Sequence, residues 1–269
     1  MKHAFLIIAH NEFSILQMLI SRLDDPDVDL FVHFDRKVKK LPHIEVLKSR
    51  LHILDDRVDV RWGTVSQIRC ELTLFEEALK CGPYDYYHII SGVHLPLKPV
   101  GEIKAFFDSA DGCSVLTGLC RSTARQERLK VRSYSFFLNG YSSGNQVVRH
   151  VSQFLWKACL GAQRILGIES NRDKVFYKAS NWLSLTDEAV KYILSRKKEI
   201  LDTFRWTFCG DEYFVPTELM ASPLKEKIIN DDRLLKREIL SASASVFHLS
   251  DLPELERSDY LFARKFTSR

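Results

Sequence analysis

Two short stretches near the C-terminal end carry residue types that suit group-transfer chemistry. Residues 207–214 read Thr-Phe-Cys-Gly-Asp-Glu-Tyr-Phe and set two carboxylates, Asp211 and Glu212, among aromatic and apolar neighbours. Residues 261–266 read Leu-Phe-Ala-Arg-Lys-Phe and set two cations, Arg264 and Lys265, in a similar context. An ionised carboxylate can take the proton of an attacking hydroxyl. A fixed cation can neutralise the charge that grows on a departing phosphate oxygen. Together they suit an enzyme that moves a group off a diphosphate without a divalent metal. Spacing alone leaves plainer readings open. An acidic pair is also favoured at a helix start by the helix dipole, with Asp211 as its cap. Arg264-Lys265 could be solvated charge. The flanking Leu261, Phe262 and Phe266 favour a segment packed on the body, where lysine offers a compact charge and arginine a planar fork.

Other spellings of chemistry are weaker. Asp25-Pro26-Asp27 and Asp27-Val28-Asp29 match the Asp-x-Asp pattern that holds a divalent cation on a diphosphate. Both precede a strand, at the wrong end of a sheet, and read better as a polar turn. The nine histidines show no His-Glu-x-x-His pattern, so no metal site is expected. Gly140-Tyr141-Ser142-Ser143-Gly144 spells a hydrolase nucleophile elbow, with Asp211 and His248 in the matching chain order. No oxyanion-loop glycine cluster stands upstream, so a serine hydrolase is a disfavoured alternative.

These residues need a scaffold, and the chain supplies one. Its 269 residues, 45% hydrophobic, suffice for one large α/β domain or two small ones. The net charge of +4, from 39 basic and 35 acidic residues, is too balanced for nucleic-acid binding by bulk electrostatics. Six cysteines form no Cys-x-x-Cys pair and read as reduced core thiols. There is no Asn-x-Ser/Thr sequon. The apolar run at residues 4–9 is too short for a membrane span or a signal segment and reads as a buried first strand. These features predict a cytoplasmic protein of bacterial type.

Residues 4–9, 30–34, 58–62, 84–90 and 113–116 read as strands. Helical spacing fills 12–23, 66–79 and a short stretch near 102–107. The alternation predicts a Rossmann-like α/β fold, a mostly parallel sheet flanked by helices. Ligands of such sheets sit beyond the carboxyl ends of the strands, where His10, Asn11, Asp35, Arg36 and Ser91 fall. Residues 121–150 read as an excursion from the sheet. Residues 147–168 predict an amphipathic helix with Val151, Phe154, Leu155, Ala158, Ala162, Ile165 and Leu166 on one face. Packing of that face on the sheet is the favoured reading. Arg149, His150, Lys157 and Arg164 keep peripheral contact with a membrane surface open as the second. Thr186 is placed to cap the next helix. With no repeat or linker, residues 1–269 read as a single domain, a nucleotide-binding half over about 1–120 and an acceptor and catalytic half over about 121–269.

Several segments, taken in order, resemble the core-2/I-branching N-acetylglucosaminyltransferase and xylosyltransferase family over nearly the full chain. They are Ala9-His10-Asn11, Val32-His33-Phe34-Asp35-Arg36-Lys37, Arg61-Trp62-Gly63 with Ser66, and Ile90-Ser91-Gly92 with Pro96-Leu97. Ala179-Ser180-Asn181-Trp182, Gly210-Asp211-Glu212 and residues 261–266 complete them. The resemblance implies a GT-A fold and an inverting, metal-independent transfer from a UDP-sugar, N-acetylglucosamine foremost or xylose, to a glycan or glycolipid hydroxyl. It implies that Glu212 is the base, beside Asp211. Lys265 and an upstream arginine, placed at Arg237, would hold the diphosphate, with Arg264 near. His10, Asn11, Asp35 and Arg36 become candidates for the nucleotide, with Trp62 and Ser66 lining the same pocket. Ser91, Gly92, Ser180, Asn181 and Trp182 become candidates for the sugars, Trp182 being open also to a core role. No cofactor is implied. Two departures stand out: Val93-His94 follows the Ser-Gly turn where members often have an acid, and the membrane anchor usual in eukaryotic members is missing. A module that binds nucleotide or glycan without turnover is the alternative from another class.

Overall fold

The computed structural model describes residues 1–236 and 246–268. Its centre is a seven-stranded sheet of β1 (His3–Ala9), β2 (Val28–Phe34), β3 (Arg50–Ile53), β4 (Tyr86–Ser91), β5 (Ser114–Leu116), β6 (Ser184–Thr186) and β7 (Ile228–Asn230), in the order β7-β5-β6-β4-β1-β2-β3. β6 runs antiparallel to both its neighbours, and the other pairings are parallel. This is the expected mostly parallel α/β sheet. The apolar runs at residues 4–9 of β1 and 30–32 of β2 have a physical cause, since both strands are covered on both faces and present apolar side chains to each. In register, Ile7 lies between Val32 and Ile90. Each such fully buried side chain contributes roughly 1.5–3 kcal/mol.

Helices α1 (Phe13–Leu23), α2 (Val65–Cys81) and α3 (Val100–Ser109) alternate with these strands. α1 buries Ile15, Leu16, Leu19, Ile20 and Leu23 at helical spacing. α2 starts at Thr64, whose hydroxyl accepts from the Ser66 amide. After α4 (Ala124–Lys130) and α5 (Gln146–Ile165), α6 (Asp187–Ser195) begins at Thr186, whose hydroxyl accepts from the Ala189 amide as expected. Residues 261–267 close the molecule. Phe262–Ala263 lies between Leu235–Lys236 and Leu95–Pro96, and Phe266–Thr267 pairs with Phe247–His248. One cluster of buried side chains extends from Ala4 to Phe266.

Two readings of these elements fail, and the disfavoured hydrolase spelling is not borne out. Residues 58–62 are not a strand; β3 is Arg50–Ile53. The Val58 amide donates to His33 Nε2 (2.8 Å) and its carbonyl accepts from the Arg36 amide (3.0 Å), which fixes the segment as a loop across the end of β2. β3 is an edge strand with solvent on it, so it lacks the apolar run that marked the others. Gly140–Gly144 forms no nucleophile elbow: a 3₁₀ turn, Leu138–Gly140, precedes it in place of a strand, and Ser142 is exposed. Finally, the apolar face predicted on residues 147–168 does not pack on the sheet. Val151, Phe154, Leu155, Ala158, Ala162, Ile165 and Leu166 are all exposed, and α5 buries Ser152, Trp156 and Gln163.

Candidate active site

The parallel strands β1, β2 and β4 end together, and the chain leaves each on a polar residue because backbone amides past the last rung need partners. The Asp35 amide donates to the Ala9 carbonyl and the Gly92 amide to the Ile8 carbonyl, both at 2.9 Å. Gly92 is closely packed, since a Cβ there would stand 3.1 Å from that of Ala9. His10 reaches solvent, yet the protein mass around its ring, and after it the Lys265 ammonium, hold its pKa below the ordinary histidine value. The segment of Lys265, from the far end of the sequence, is brought to this end of the sheet by its neighbours. The Phe266 amide anchors that segment on the Val93 carbonyl (3.0 Å), and Thr267 and Ser268 bond to Glu12.

The same rim holds Ser91 and residues 180–182. The Ile89 amide donates to the Leu183 carbonyl (2.9 Å), so the 180–182 segment runs past the end of β4. Ser180 and Trp182 are buried, and Arg264 stacks 4.8 Å above the Trp182 ring. Ser91 is committed to its own turn, its hydroxyl 2.8 Å and its amide 3.0 Å from His94 Nδ1. His94 meets Trp182 edge-on at 5.0 Å. Burial, and then Arg264, hold His94 neutral. The departure at Val93-His94 thus docks the C-terminal segment through one residue and supports Trp182 through the other. Asn11 and Asn181 lie next to this group. Arg237 lies outside the described residues.

The acid loop joins the rim from the other side. The Ala179 amide donates to the Glu212 carbonyl (3.0 Å), and Lys178 Nζ lies 3.2 Å from Glu212 Oε2. Glu212 is part-exposed, its side chain 28% accessible, and so able to meet a substrate. Asp211 is buried and does not cap a helix. Its Oδ2 accepts from Gln67 Nε2 at 2.8 Å. Burial, then the nearby Glu212 charge, push its pKa up to about 7. On the same face of α2, Glu71 is fully buried with neither oxygen hydrogen-bonded, and burial followed by Asp211 raises its pKa well above the carboxylate range. Gln67 also accepts from the Gly63 amide, and the Gly63 carbonyl accepts from the Cys209 amide (2.9 Å). Trp62 is therefore tied to the acid loop, with Phe208 at 5.3 Å and Tyr141 at 5.7 Å.

The remaining nucleotide candidates are placed differently. The Asp35 carboxylate is buried and accepts from Lys37 Nζ (2.7 Å), which also bonds Asp59. The Ser66 hydroxyl accepts from the Arg61 amide (2.7 Å) inside its turn. Arg36 and Ser66 line a separate cleft of about 520 Å³ with Arg57, Arg61, Arg69 and Trp206. Asp25 and Asp27 bind Lys104 at the amino end of β2, away from the rim. Lys178, Gln67 and Glu71 were not singled out from sequence. Glu71 left a signal, an acid flanked by Ile68, Leu72 and Phe75 on the apolar face of a helix; Lys178 left none.

The family model described as Branch, Core-2/I-Branching enzyme, matches residues 3–238. Among solved structures, the apo form of mouse xyloside xylosyltransferase 1 aligns at 9% identity with a TM-score of 0.43, covering 97% of this chain and 96% of that one. No curated protein matches significantly.

Proposed function

We propose a specific reaction on one premise: this chain belongs to the Core-2/I-branching enzyme family and is a glycosyltransferase. The reaction is an inverting transfer, on a GT-A scaffold, from a UDP-sugar, N-acetylglucosamine foremost and xylose second, to a hydroxyl of a glycan or glycolipid. Glu212 takes the acceptor proton as that oxygen attacks the anomeric carbon. The bond from the anomeric carbon to the diphosphate oxygen breaks, and its electron pair leaves with UDP. Lys265, with Arg237 as its partner, neutralises the charge gained by the diphosphate, a role a divalent ion fills in other enzymes. Lys178 orients the Glu212 carboxylate. Asp211, with its pKa near 7, adds little second negative charge beside the base below that pH.

One observation carries this reading. The loop of Glu212 and the segment of Lys265, some fifty residues apart, attach to the same short stretch, through Ala179 and through Trp182 beneath Arg264. The test is transfer and donor hydrolysis across a panel of UDP-sugars. Glu212→Gln should lower turnover by about 10²–10⁴-fold, and Lys265→Ala should weaken UDP binding and turnover together. Near-normal transfer by Glu212→Gln refutes the base. Activity lost with EDTA and restored by Mn²⁺ refutes the metal-free clamp.

A further inference from the structure

α5 is amphipathic the wrong way round for a helix of a water-soluble surface. Its inward side is polar or mixed, and each contact there is specific. Gln163 exchanges hydrogen bonds with the main chain of Tyr134 (2.8 and 2.9 Å), the Ser152 hydroxyl donates to the Phe137 carbonyl, and Trp156 Nε1 donates to the Ser135 hydroxyl (3.3 Å). Its outward side is apolar along the whole helix: Val147 is 71% exposed, Phe154 70%, Ile165 87% and Leu166 70%. Phe136 and Phe137, in the loop before it, are exposed as well. More than half of the exposed large apolar side chains among the described residues fall between Leu129 and Ile168. Contiguous faces of this kind mark interaction sites.

The charge of the same segment says what covers it. Residues 128–168 contain no aspartate or glutamate, yet carry Arg128, Lys130, Arg132, Arg149, Lys157 and Arg164. On α5, His150, Lys157 and Arg164 recur at seven-residue intervals and form an exposed row along one edge of the apolar face. No carboxylate pairs with Lys157 or Arg164 among the described residues. A second copy of the chain docking by the same face would set cations against cations, with no acid in the segment to pair them. An anionic headgroup layer complements the row, and the acyl boundary beneath it accepts the apolar face. α5 has 20 residues, but no helix of the described chain is long and apolar enough to cross a membrane. It would lie on the surface.

We propose that the outward face of α5 docks this protein on an anionic lipid surface. The docking face is one packing layer from the acid loop, since Trp156, on the opposite side of α5, meets Phe208 at 5.0 Å. The proposal does not depend on the identity of donor or acceptor.

Co-sedimentation with phosphatidylcholine vesicles, with and without phosphatidylglycerol, tests it. The full chain should bind the anionic vesicles and not the neutral ones, and added salt should release it. Lys157→Ala with Arg164→Ala should weaken binding by about 30-fold, at roughly one energy step per cation. Phe154→Ser should weaken it by about ten-fold or more, with an unchanged melting temperature to show that the fold is intact. Equal binding to both vesicle types, or none to either, overturns the proposal. So does a stable dimer in solution that Phe154→Ser dissociates.

Discussion

The sheet half and α5 obey the same sequence rule and give opposite results. In α1, apolar residues at helical spacing mark the buried side, Ile15, Leu16, Leu19, Ile20 and Leu23. In α5 the same spacing marks the side facing out, and the body contacts are Ser152, Trp156 and Gln163. Periodicity identifies a face that avoids water. It does not identify the medium that takes water's place, which for α1 is the sheet. What separates the two helices in sequence is positive charge: neither carries an acid, but α1 has the single cation Arg22, whereas α5 has Arg149, Lys157 and Arg164, the last two in line with His150 along one edge of its apolar face.

Paired substitutions sharpen that contrast. The largest effect belongs to the core, where Phe31 is 1% exposed between β1 and β3. Phe31→Ala should cost about 3–5 kcal/mol in a denaturant titration. A cost near 1 kcal/mol would mean that the sheet is looser than its burial implies.

A pH-dependent effect of similar size should come from Asp211. Its carboxyl goes from an ordinary value of 3.8 in the unfolded chain to about 7 in the fold. Between those values the folded state holds a proton that the unfolded state has released. Stability from this group is therefore present at low pH and is lost as pH rises towards 7, by up to about 4 kcal/mol. The buried histidines His3, His88 and His94 have lowered values and act with the opposite sign, losing stability as pH falls. Subtracting the stability profile of Asp211→Asn from that of the parent gives the contribution of this carboxyl together with its effect on Glu71. The difference should fall between pH 4 and 7, and a flat difference would place Asp211 in a wetter setting than the fold gives it.

The smallest effect belongs to α5. Phe154→Ala should change stability by less than about 0.5 kcal/mol, because an exposed side chain has little burial to lose. A large cost there would show that the face is covered by the protein itself, and the contrast with α1 would collapse.

Much of the scaffold was legible from sequence because its causes are local. The cores of β1 and β2, residues 4–9 and 30–32, are apolar on both faces, and polar residues follow at the strand ends, so His10, Asp35 and Ser91 could be placed by position. The acid loop and the cationic segment could be found but not joined. Their attachment to the same stretch, residues 179–182, depends on β6 running past the end of β4 and on Phe262–Ala263 slotting between two other short strands. Nothing near Lys178 signalled that it would meet Glu212, since the contact is made by a crossing of distant chain segments. Residues 58–62 misled for a related reason: their apolar alternation is consumed by a loop held through the His33 ring.

Residue order alone thus determined β1, β2, β4, α1 and α2, which faces shun water, and which acids and cations are available for chemistry, because each follows from the covalent neighbourhood of a residue. The tertiary structure decided which carboxylate of the Asp211-Glu212 pair is sealed away and which meets solvent, which cationic segment is brought to that end of the sheet, and which way α5 faces. Those outcomes are set by contacts between segments far apart in the chain, where burial and charge are properties of the assembled neighbourhood.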